Sequence, residues 1–303
     1  MATKIPFIFD LTFEYGVAER VSPLIRRVIA PNGGPFTFHG TGTYIVGRGK
    51  VAVIDPGPAL PDHVDAILAA VEGETISHQI ITHTHRDHSP AARLIAAETG
   101  AKTYGFGPHG SGRGAGDVEE GADHDFSPDV TVRDGDVIAG EGWTLEAVHT
   151  PGHTSNHLCF GLSEENALFS GDHVMGWSTS VISPPDGDMA AYFASLEKLL
   201  ARDDHIYWPT HGAPITDPKP LVEAFIAHRR DREQQISDCL GRGIDAIPRM
   251  VEAMYPDIDP GLHPAAARSV LAHLIHMVED NRAACDGAPD ESSHYRPATC
   301  NEA

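Results

Sequence analysis

The chain has 303 residues, and its 43 acidic residues outnumber its 22 lysines and arginines, which gives a net charge of −21 at neutral pH. This excess disfavours long-range attraction to nucleic acids or anionic membranes, although a bound metal would create a local positive site. An apolar fraction of 41% is ordinary for a globular protein, so the sequence predicts a sizeable hydrophobic core.

The N-terminal stretch MATKIPFIFDLTFEYG has a short apolar run that Asp10 and Glu14 interrupt. It lacks the long apolar core and the cleavage site of a signal peptide, and no apolar run reaches membrane-spanning length. The expected location is therefore the cytoplasm. The cysteines are widely spaced without a C-x-x-C pair, which predicts reduced thiols; they are Cys159, Cys239, Cys285 and Cys300.

The first part of the chain alternates strand-like and helical patterns. Residues 41–46 and 51–55 are predicted strands joined by a glycine-rich turn, and LPDHVDAILAAVEG (60–73) has the apolar spacing of a helix, with Asp62 as its cap. The segment HQIITH (78–83) is the next predicted strand. This alternation of strands and helices is typical of an α/β fold.

The helical pattern SPAARLIAAETG follows at once, with Ser89 as the predicted N-cap and Gly100 as its stop. After a short strand, residues 107–129 are glycine-rich and acidic and predict a loop, for which a lid and a plain surface excursion both stay open. Residues 130–174 predict a run of strands, and residues 187–203 predict a helix before a last short strand.

From Pro218 the pattern changes to three helical segments that end near Cys285. A helical piece this small must bury its apolar face against a larger body, so we expect it to cover one side of the active-site mouth. The predicted organisation is an α/β domain over 1–217, a helical domain over 218–285 and a disordered polar tail over 286–303.

The segment HTHRDH crowds four ligand-type side chains into six residues. Because residues two apart share one face of a strand, His83 and His85 are predicted to project the same way at a strand end. Asp87 and His88 lie in the turn beyond and suit a second metal beside the first. Imidazole nitrogen and carboxylate oxygen are ligands that zinc accepts, so the cluster predicts a metal site.

Three later segments offer further ligands where strand-like runs end. His153 stands in HTPGHTSNH, Asp172 in LFSGDHV and His211 in YWPTHGAPI. Five histidines and two aspartates make two metal sites when one carboxylate bridges them. The neighbouring His157 and His173 are interpreted as hydrogen-bonding residues of the structure and not as metal ligands.

In this order, HTHRDH, TPGHT, FSGDH and PTHGAP resemble the motifs of the metallo-β-lactamase superfamily, and AVIDPG resembles the strand that precedes them. The resemblance covers Thr41 to about Ile215. It implies a four-layered αββα sandwich with the metals at one edge of the sheets. The segment that begins AFIAHRRDREQQI resembles the lactamase-beta-like-2 subfamily, whose C-terminal appendage is winged-helix-like.

The family pattern implies a centre that holds two zinc ions, with iron or manganese as alternative metals. Asp172 would bridge the two metals, and Asp55 would hold a ligand imidazole from behind. The remaining ligands would be His83, His85 and His153 for the first metal, and Asp87, His88 and His211 for the second.

These inferences predict a dinuclear zinc hydrolase in which a metal-bridging hydroxide attacks a small ester, thioester, lactone or β-lactam. Asp87, which would orient the hydroxide, and Asp172 are the predicted catalytic residues. One alternative is a metal-dependent endoribonuclease or phosphodiesterase, which the subfamily resemblance favours and the negative charge disfavours. The other is a mononuclear iron oxidoreductase similar to persulfide dioxygenases, which the complete second ligand set disfavours.

A small-molecule substrate is therefore favoured over nucleic acid, and no membrane partner is expected. Residues 175–185 follow the bridging aspartate and are expected to line the pocket, where Trp177 contacts either the substrate or the core. The only basic cluster is HRRDR at 228–232, which we interpret as a solvated helix face.

Overall fold

The protein is described by a computed structural model that covers residues 3–111, 121–257 and 259–298. The strands of these residues are β1 (Glu19–Arg20), β2 (Ile25–Ile29), β3 (Gly42–Val46), β4 (Lys50–Ile54), β5 (Thr75–Ile80), β6 (Lys102–Gly105), β7 (Val130–Thr131), β8 (Val137–Gly140), β9 (Trp143–His149), β10 (Leu158–Leu162), β11 (Ala167–Gly171), β12 (Ile206–Pro209), β13 (Ala283–Cys285) and β14 (Tyr295–Pro297). The helices are α1 (Pro61–Ala70), α2 (Ala91–Thr99), α3 (Met189–Leu200), α4 (Pro218–Gly241), α5 (Ile247–Met254) and α6 (His263–Glu279), with short 3₁₀ helices at Ser163–Glu165 and Pro260–Leu262.

The strands form two large sheets. The first seven follow one another in a single sheet, and the second sheet has the order β12-β11-β10-β9-β8. Strands β4 to β7 are parallel, as are β11 and β12. Parallel neighbours need a long crossover connection, which α1, α2 and α3 supply between β4 and β5, β5 and β6, and β11 and β12.

The alternation of side chains in β4 explains why the fold has four layers. Ala52 and Ile54 belong to the core between the two sheets, whereas Val51 and Val53 point away from it and pack with α1 and α2. The outer face of the second sheet packs on α3 and the first half of α4. The predicted αββα sandwich is therefore confirmed.

The C-terminal helical region is joined to this body by one continuous helix. In α4, Leu221, Val222 and Phe225 are buried with α3 in the core of the body. Further along the same helix, Ile236 and Leu240 are buried in a separate core with α5 and α6. No helix of the described ranges is long and apolar enough to cross a lipid bilayer.

The expectation of a disordered tail over 286–303 is wrong for the part of that tail that the structure describes. Strand β14 pairs antiparallel with β13, and Tyr295 is 2% exposed in the core of the C-terminal region. The hydroxyl of Tyr295 donates to the Asp290 carbonyl at 2.7 Å. One buried aromatic ring thus holds a segment whose polar composition suggests disorder.

Two predicted helix caps are also wrong. Helix α1 begins at Pro61, so Asp62 lies inside the first turn and its side chain caps nothing. Ser89 does not cap α2, because its hydroxyl donates to the Asp123 carboxylate at 2.8 Å. Gly100 ends α2 in the left-handed region, with φ 72°, as the sequence predicts.

Candidate metal centre

The predicted strand HQIITH lies three residues too far along the chain. Strand β5 ends at Ile80, because Thr82 turns away and donates to Asp55 through its N–H at 2.9 Å and its hydroxyl at 2.8 Å. His83 and His85 therefore lie in a loop, and the strand-face argument for their direction is wrong. The loop nevertheless brings His83 Nε2 within 2.9 Å of His85 Nδ1.

The first cluster is completed by His153, which comes from the loop after β9. Its Nε2 lies 3.1 Å from His85 Nδ1, and the donor atoms of His83, His85 and His153 all lie within 4.8 Å of one another. The loop fits tightly against α3: Gly152 has φ 138°, and a Cβ there would lie 2.5 Å from the Tyr192 main chain. Glycine thus permits the close approach that places His153.

The second cluster lies beside the first and shares Asp172 with it. His211 Nε2 lies 3.1 Å from Asp87 Oδ2, and His88 Nε2 lies 3.5 Å from the same oxygen. Asp172 Oδ2 is 3.5 Å from the Nε2 atoms of both His88 and His211, and 3.9 Å from His153 Nε2. The Asp172 carboxylate therefore lies between the two clusters.

Asp55 ties three of these loops together from outside the clusters. Its carboxylate accepts hydrogen bonds from Thr82 and from the Thr210 hydroxyl at 2.9 Å, and its Oδ2 lies 2.9 Å from His88 Nδ1. Asp55 also has a φ of 46°, in the left-handed region. A buried carboxylate on the far nitrogen of a histidine fixes the ring so that Nε2 faces the centre.

His157 supports the loop that carries Asp172. Its Nε2 accepts the Asp172 main-chain N–H at 3.2 Å, and its Nδ1 lies 2.9 Å from the Thr150 hydroxyl. Gly171 has φ 54°, and a Cβ there would lie 2.5 Å from His157 Nε2. His157 therefore makes structural hydrogen bonds, in agreement with our interpretation.

The hydrogen-bonding part of this interpretation is wrong for His173. Within the described ranges, neither ring nitrogen of this buried residue has a hydrogen-bond partner. The ring packs 4.7 Å from the ring of Tyr192. Burial lowers the pKa of His173 to about 3, so the imidazole is neutral and acts as an apolar packing group.

The carboxylates of Asp87 and Asp172 favour a positive charge at this centre. Burial opposes protonation of His211, but the Asp172 and Asp87 carboxylates raise its pKa to about 10, and they raise the pKa of His88 as well. Burial would raise the pKa of Asp172, yet His211 and His88 hold it well below its usual range. Burial and the neighbouring imidazoles hold the pKa of His83 low, which keeps the ring neutral and able to ligate.

Unsatisfied atoms test whether a metal fits this centre. Among the described residues, His88 Nε2, His211 Nε2 and Asp172 Oδ1 are buried and make no hydrogen bond of good geometry, although carboxylate oxygens lie 3.1 to 3.5 Å from the two nitrogens. Buried polar atoms are normally paired, and these three belong to the two histidines predicted to bind the second metal and to the carboxylate predicted to bridge the metals. The donor set of imidazoles and carboxylates suits a borderline divalent cation such as zinc, so the residues fit the implied metals.

A cavity of about 380 Å³ opens onto the centre. His85, Asp87, His153 and Asp172 contribute to its lining, and much of the remaining wall is apolar. Residues of α6 form part of this wall, so the expectation that the C-terminal region covers one side of the mouth is confirmed. The other described residues of the lining are Phe36, Thr37, Gly121, Met175, Val181, Ser183, Ala265 and Arg268.

The roles predicted for Trp177 and for the 107–129 loop at this cavity stay predictions. Trp177 is absent from this lining, and its ring stacks on Phe38 at 4.8 Å, so its role toward a substrate stays a prediction. Part of the 107–129 loop, for which a lid was one interpretation, lies outside the described residues. Gly121, at the described edge of that loop, lines the cavity.

Arg229 is a supporting residue that the sequence analysis missed. It belongs to the cluster interpreted as a solvated face, yet it is 4% exposed, so that interpretation is wrong for this residue. Its guanidinium donates to the Ser180 carbonyl, and the Ser180 hydroxyl contacts the carbonyls of Asp172 and His173. The sequence does contain an indication of this burial, because position 229 lies four residues after the buried Phe225 and therefore on the same face of the helix.

Comparisons with known proteins agree with this architecture. Residues 37–211 match the model of the metallo-beta-lactamase superfamily, and residues 247–291 match the beta-lactamase associated winged helix domain. A beta-lactamase domain protein from Burkholderia ambifaria has a TM-score of 0.78 at 18% identity, covering 95% of this chain and 96% of its own. A metallo-beta-lactamase family protein from Thermus thermophilus has a TM-score of 0.74 at 19% identity, covering 92% of this chain and 100% of its own. At such identities the likeness shows the fold alone.

Curated relatives are closer in sequence. The lactamase-like protein aptB from Emericella nidulans is 31% identical over 93% of this chain and 93% of its own length. The atrochrysone carboxyl ACP thioesterase AgnL7 from Paecilomyces divaricatus is 36% identical over 74% of this chain and 67% of its own. The chain is therefore a hydrolase that belongs to the metallo-β-lactamase superfamily and carries the associated winged-helix domain.

Proposed function

We propose that this hydrolase uses two zinc ions and cleaves thioesters of apolar acyl groups. The observation that carries the proposal is the double cluster of ligand-type residues beside a cavity with largely apolar walls. The thioester class is supported by relatives that are named acyl carrier protein thioesterases. An ester, lactone or β-lactam would present a similar carbonyl and is the nearest alternative.

The residues of the two clusters have separate tasks in this proposal. His83, His85 and His153 would hold one ion, and Asp87, His88 and His211 would hold the other, with Asp172 shared. When bound, the two ions supply an activated water nucleophile and polarise the substrate carbonyl.

Asp87 is placed to act on the nucleophile. About a quarter of its side chain is exposed and it lines the cavity, so its carboxylate can accept a hydrogen bond from a water molecule there and orient it. Asp55 keeps the His88 ring fixed while charge changes at the centre. The apolar walls exclude other water molecules from the acyl group.

The alternative functions are less well supported by the same site. A phosphodiesterase that binds nucleic acid needs several cations for the backbone, whereas Arg268 is the single lysine or arginine among the described residues that line the cavity. A mononuclear iron oxidoreductase would use one of the two clusters. The second cluster would then have no function, although its donor atoms also lie within 4.8 Å of one another.

The substitution Asp172→Asn tests the proposal, because it keeps the shape of the shared ligand and removes its charge. We expect metal content to fall from two ions per chain toward one, and thioester hydrolysis to fall about 100-fold or more, because the ions would repel with less compensation. Asp203→Asn is the matched control, since its carboxylate is 90% exposed and pairs with Lys219. Metal analysis of the parent that gives one ion after full loading would contradict the dinuclear assignment.

A further inference from the structure

We propose that Arg268 and Ser183 form an anion-binding subsite in the cavity, which selects thioesters that carry a carboxylate or a phosphate group beside an apolar body. This inference rests on the proposed function and adds the substrate feature that the cavity recognises. Both residues line the cavity that the metal ligands also line. Arg268 comes from α6 in the C-terminal region, whereas Ser183 comes from the body, so the subsite spans the two parts of the chain.

Within the described part of the chain, the guanidinium of Arg268 has no partner. Over the described ranges it makes no hydrogen bond and no ion pair, although the chain has 43 acidic residues. Arg27, Arg202 and Arg282 behave differently, since each of them contacts a carboxylate within 3 Å. A partly buried guanidinium offers five N–H donors in a planar fork that matches a carboxylate or a phosphate.

Ser183 supplies a second donor in the same cavity. The residue is 8% exposed, and its carbonyl accepts the Gly187 N–H at 2.8 Å, which fixes the local turn. Its hydroxyl has no hydrogen-bond partner in the described part of the chain. Two residues earlier, the Val181 carbonyl contacts the His153 ring, so this loop connects the subsite to the first ligand cluster.

The remaining wall defines the rest of the ligand. Phe36, Met175, Val181 and Ala265 present apolar surface to the cavity. The carboxylates of Asp87 and Asp172 lie on the side of the metal clusters, where a substrate carbonyl must bind. A matching ligand therefore has its scissile carbonyl at the clusters, an apolar body on these side chains, and an anionic group at α6.

The anionic group has two possible sources, and three thioesters distinguish them. Hexanoyl N-acetylcysteamine is neutral, adipoyl N-acetylcysteamine carries a carboxylate on the acyl side, and hexanoyl coenzyme A carries phosphates on the thiol side. We expect Arg268→Gln to raise KM about 10- to 100-fold for one charged substrate and less than about two-fold for the neutral one, the loss expected for a charge-assisted hydrogen bond. The charged substrate whose KM rises shows whether the anionic group lies on the acyl side or on the thiol side of the thioester.

Binding provides a readout that does not depend on turnover. Calorimetry with the non-hydrolysable hexyl thioether of coenzyme A and with the carboxyalkyl thioether of N-acetylcysteamine should show a loss of affinity in Arg268→Gln of about 10- to 100-fold for the ligand whose anionic group matches that of the affected substrate, and little loss for the other. Arg268→Lys should recover part of it, because it keeps the charge and loses the fork. Arg249→Gln is the control, since this exposed arginine of α5 pairs with Glu252 and is absent from the cavity lining.

Each remaining outcome would overturn one proposal and not the other. An equal loss on all three thioesters, or no loss on either charged one, would refute the anion subsite while thioester hydrolysis stands. If the parent cleaves none of the thioesters, the proposed function is wrong, and the thioether affinities still decide whether Arg268 binds an anion.

Discussion

At the scale of single residues, the position of Asp172 depends on what lies immediately behind it. Gly171 adopts a φ of 54° and leaves no room for a side chain, because the His157 ring lies where a Cβ would be. That ring in turn accepts the Asp172 N–H. A carboxylate that two metals share would have to be held to within fractions of an ångström. Here the Gly171 turn and the His157 ring fix the main chain of Asp172 and so the position of its carboxylate.

Gly171→Ala should therefore damage the centre more than the fold. We expect it to lower metal content and activity strongly, because the new methyl displaces His157 or Asp172. Gly49→Ala is a matched control: its φ is 73°, but a Cβ there would meet no atom within 4 Å. It should cost only about 1–2 kcal/mol of unfolding free energy through backbone strain. Metal analysis and thermal unfolding check both variants, and full metal content in Gly171→Ala would contradict the argument.

At the scale of elements, α4 has two roles along its length. Its first half closes the core of the body, and its second half builds the core of the C-terminal region. Between them, Arg229 contacts the loop that carries Asp172, and Glu233 contacts α6. The helix is thus a structural link between the candidate metal centre and the wall of the cavity.

Arg229→Met tests the link to the centre. The substitution keeps an unbranched chain and removes the hydrogen bond to Ser180, which should cost about 1.5–3 kcal/mol of unfolding free energy. It should also lower the metal affinity, because the Asp172 loop loses its support. Arg230→Met, at the next and largely exposed position, should change neither quantity. Equal effects of the two substitutions on metal affinity would show that Arg229 has no positioning role.

Glu233 makes the junction of α4 and α6 sensitive to pH. Burial would raise the pKa of Glu233, but hydrogen bonds from His273, His276 and Arg282 outweigh burial and hold it below its ordinary value of 4.5. The stability from this shift is present above about pH 4.5 and is lost as pH falls through the folded-state pKa. The hydrogen bond to Glu233 raises the pKa of His276 above 6.5, so that contribution is lost as pH rises beyond this value.

Glu233→Gln should accordingly destabilise the protein by an amount that depends on pH. We expect the largest difference in unfolding free energy, about 2 kcal/mol, between about pH 4.5 and 6.5, and a smaller one on either side. Urea unfolding of both proteins at about pH 3.5, 5.5 and 8 measures it. A difference that stays constant across this range would show that the carboxylate acts by packing and not by charge.

At the scale of the whole molecule, the C-terminal region contributes to the cavity at the candidate metal centre and to the main core. Its α6 lines the cavity, and its α4 buries Leu221, Val222, Phe225 and Ile226 against the body. The polar end of the chain belongs to it as well, through Tyr295 in β14.

Two truncations separate these contributions. A chain that ends before Pro218 should aggregate, because each large apolar side chain that packs on α4 becomes exposed. Each of them then loses about 1.5–3 kcal/mol of stabilisation from burial. A chain that ends after Cys285 should fold and lose about 3 kcal/mol through the missing Tyr295 ring. Solubility and urea unfolding check both, and an unchanged stability of the longer truncation would contradict the role of β14.

The sequence by itself determined the αββα sandwich, the helical appendage and the set of candidate ligands. It could do so because side-chain periodicity and turn residues are local, and because HTHRDH and the later motifs resemble a known family in order and kind. Only the tertiary structure decided that His83 and His85 lie beyond the strand, that Arg229 is buried and that Arg268 reaches the cavity. Those facts depend on contacts between residues far apart in the chain. Burial of a charged side chain is fixed by the element that packs over it; helical spacing places position 229 on the same face as Phe225, but it does not show that another element covers a guanidinium there.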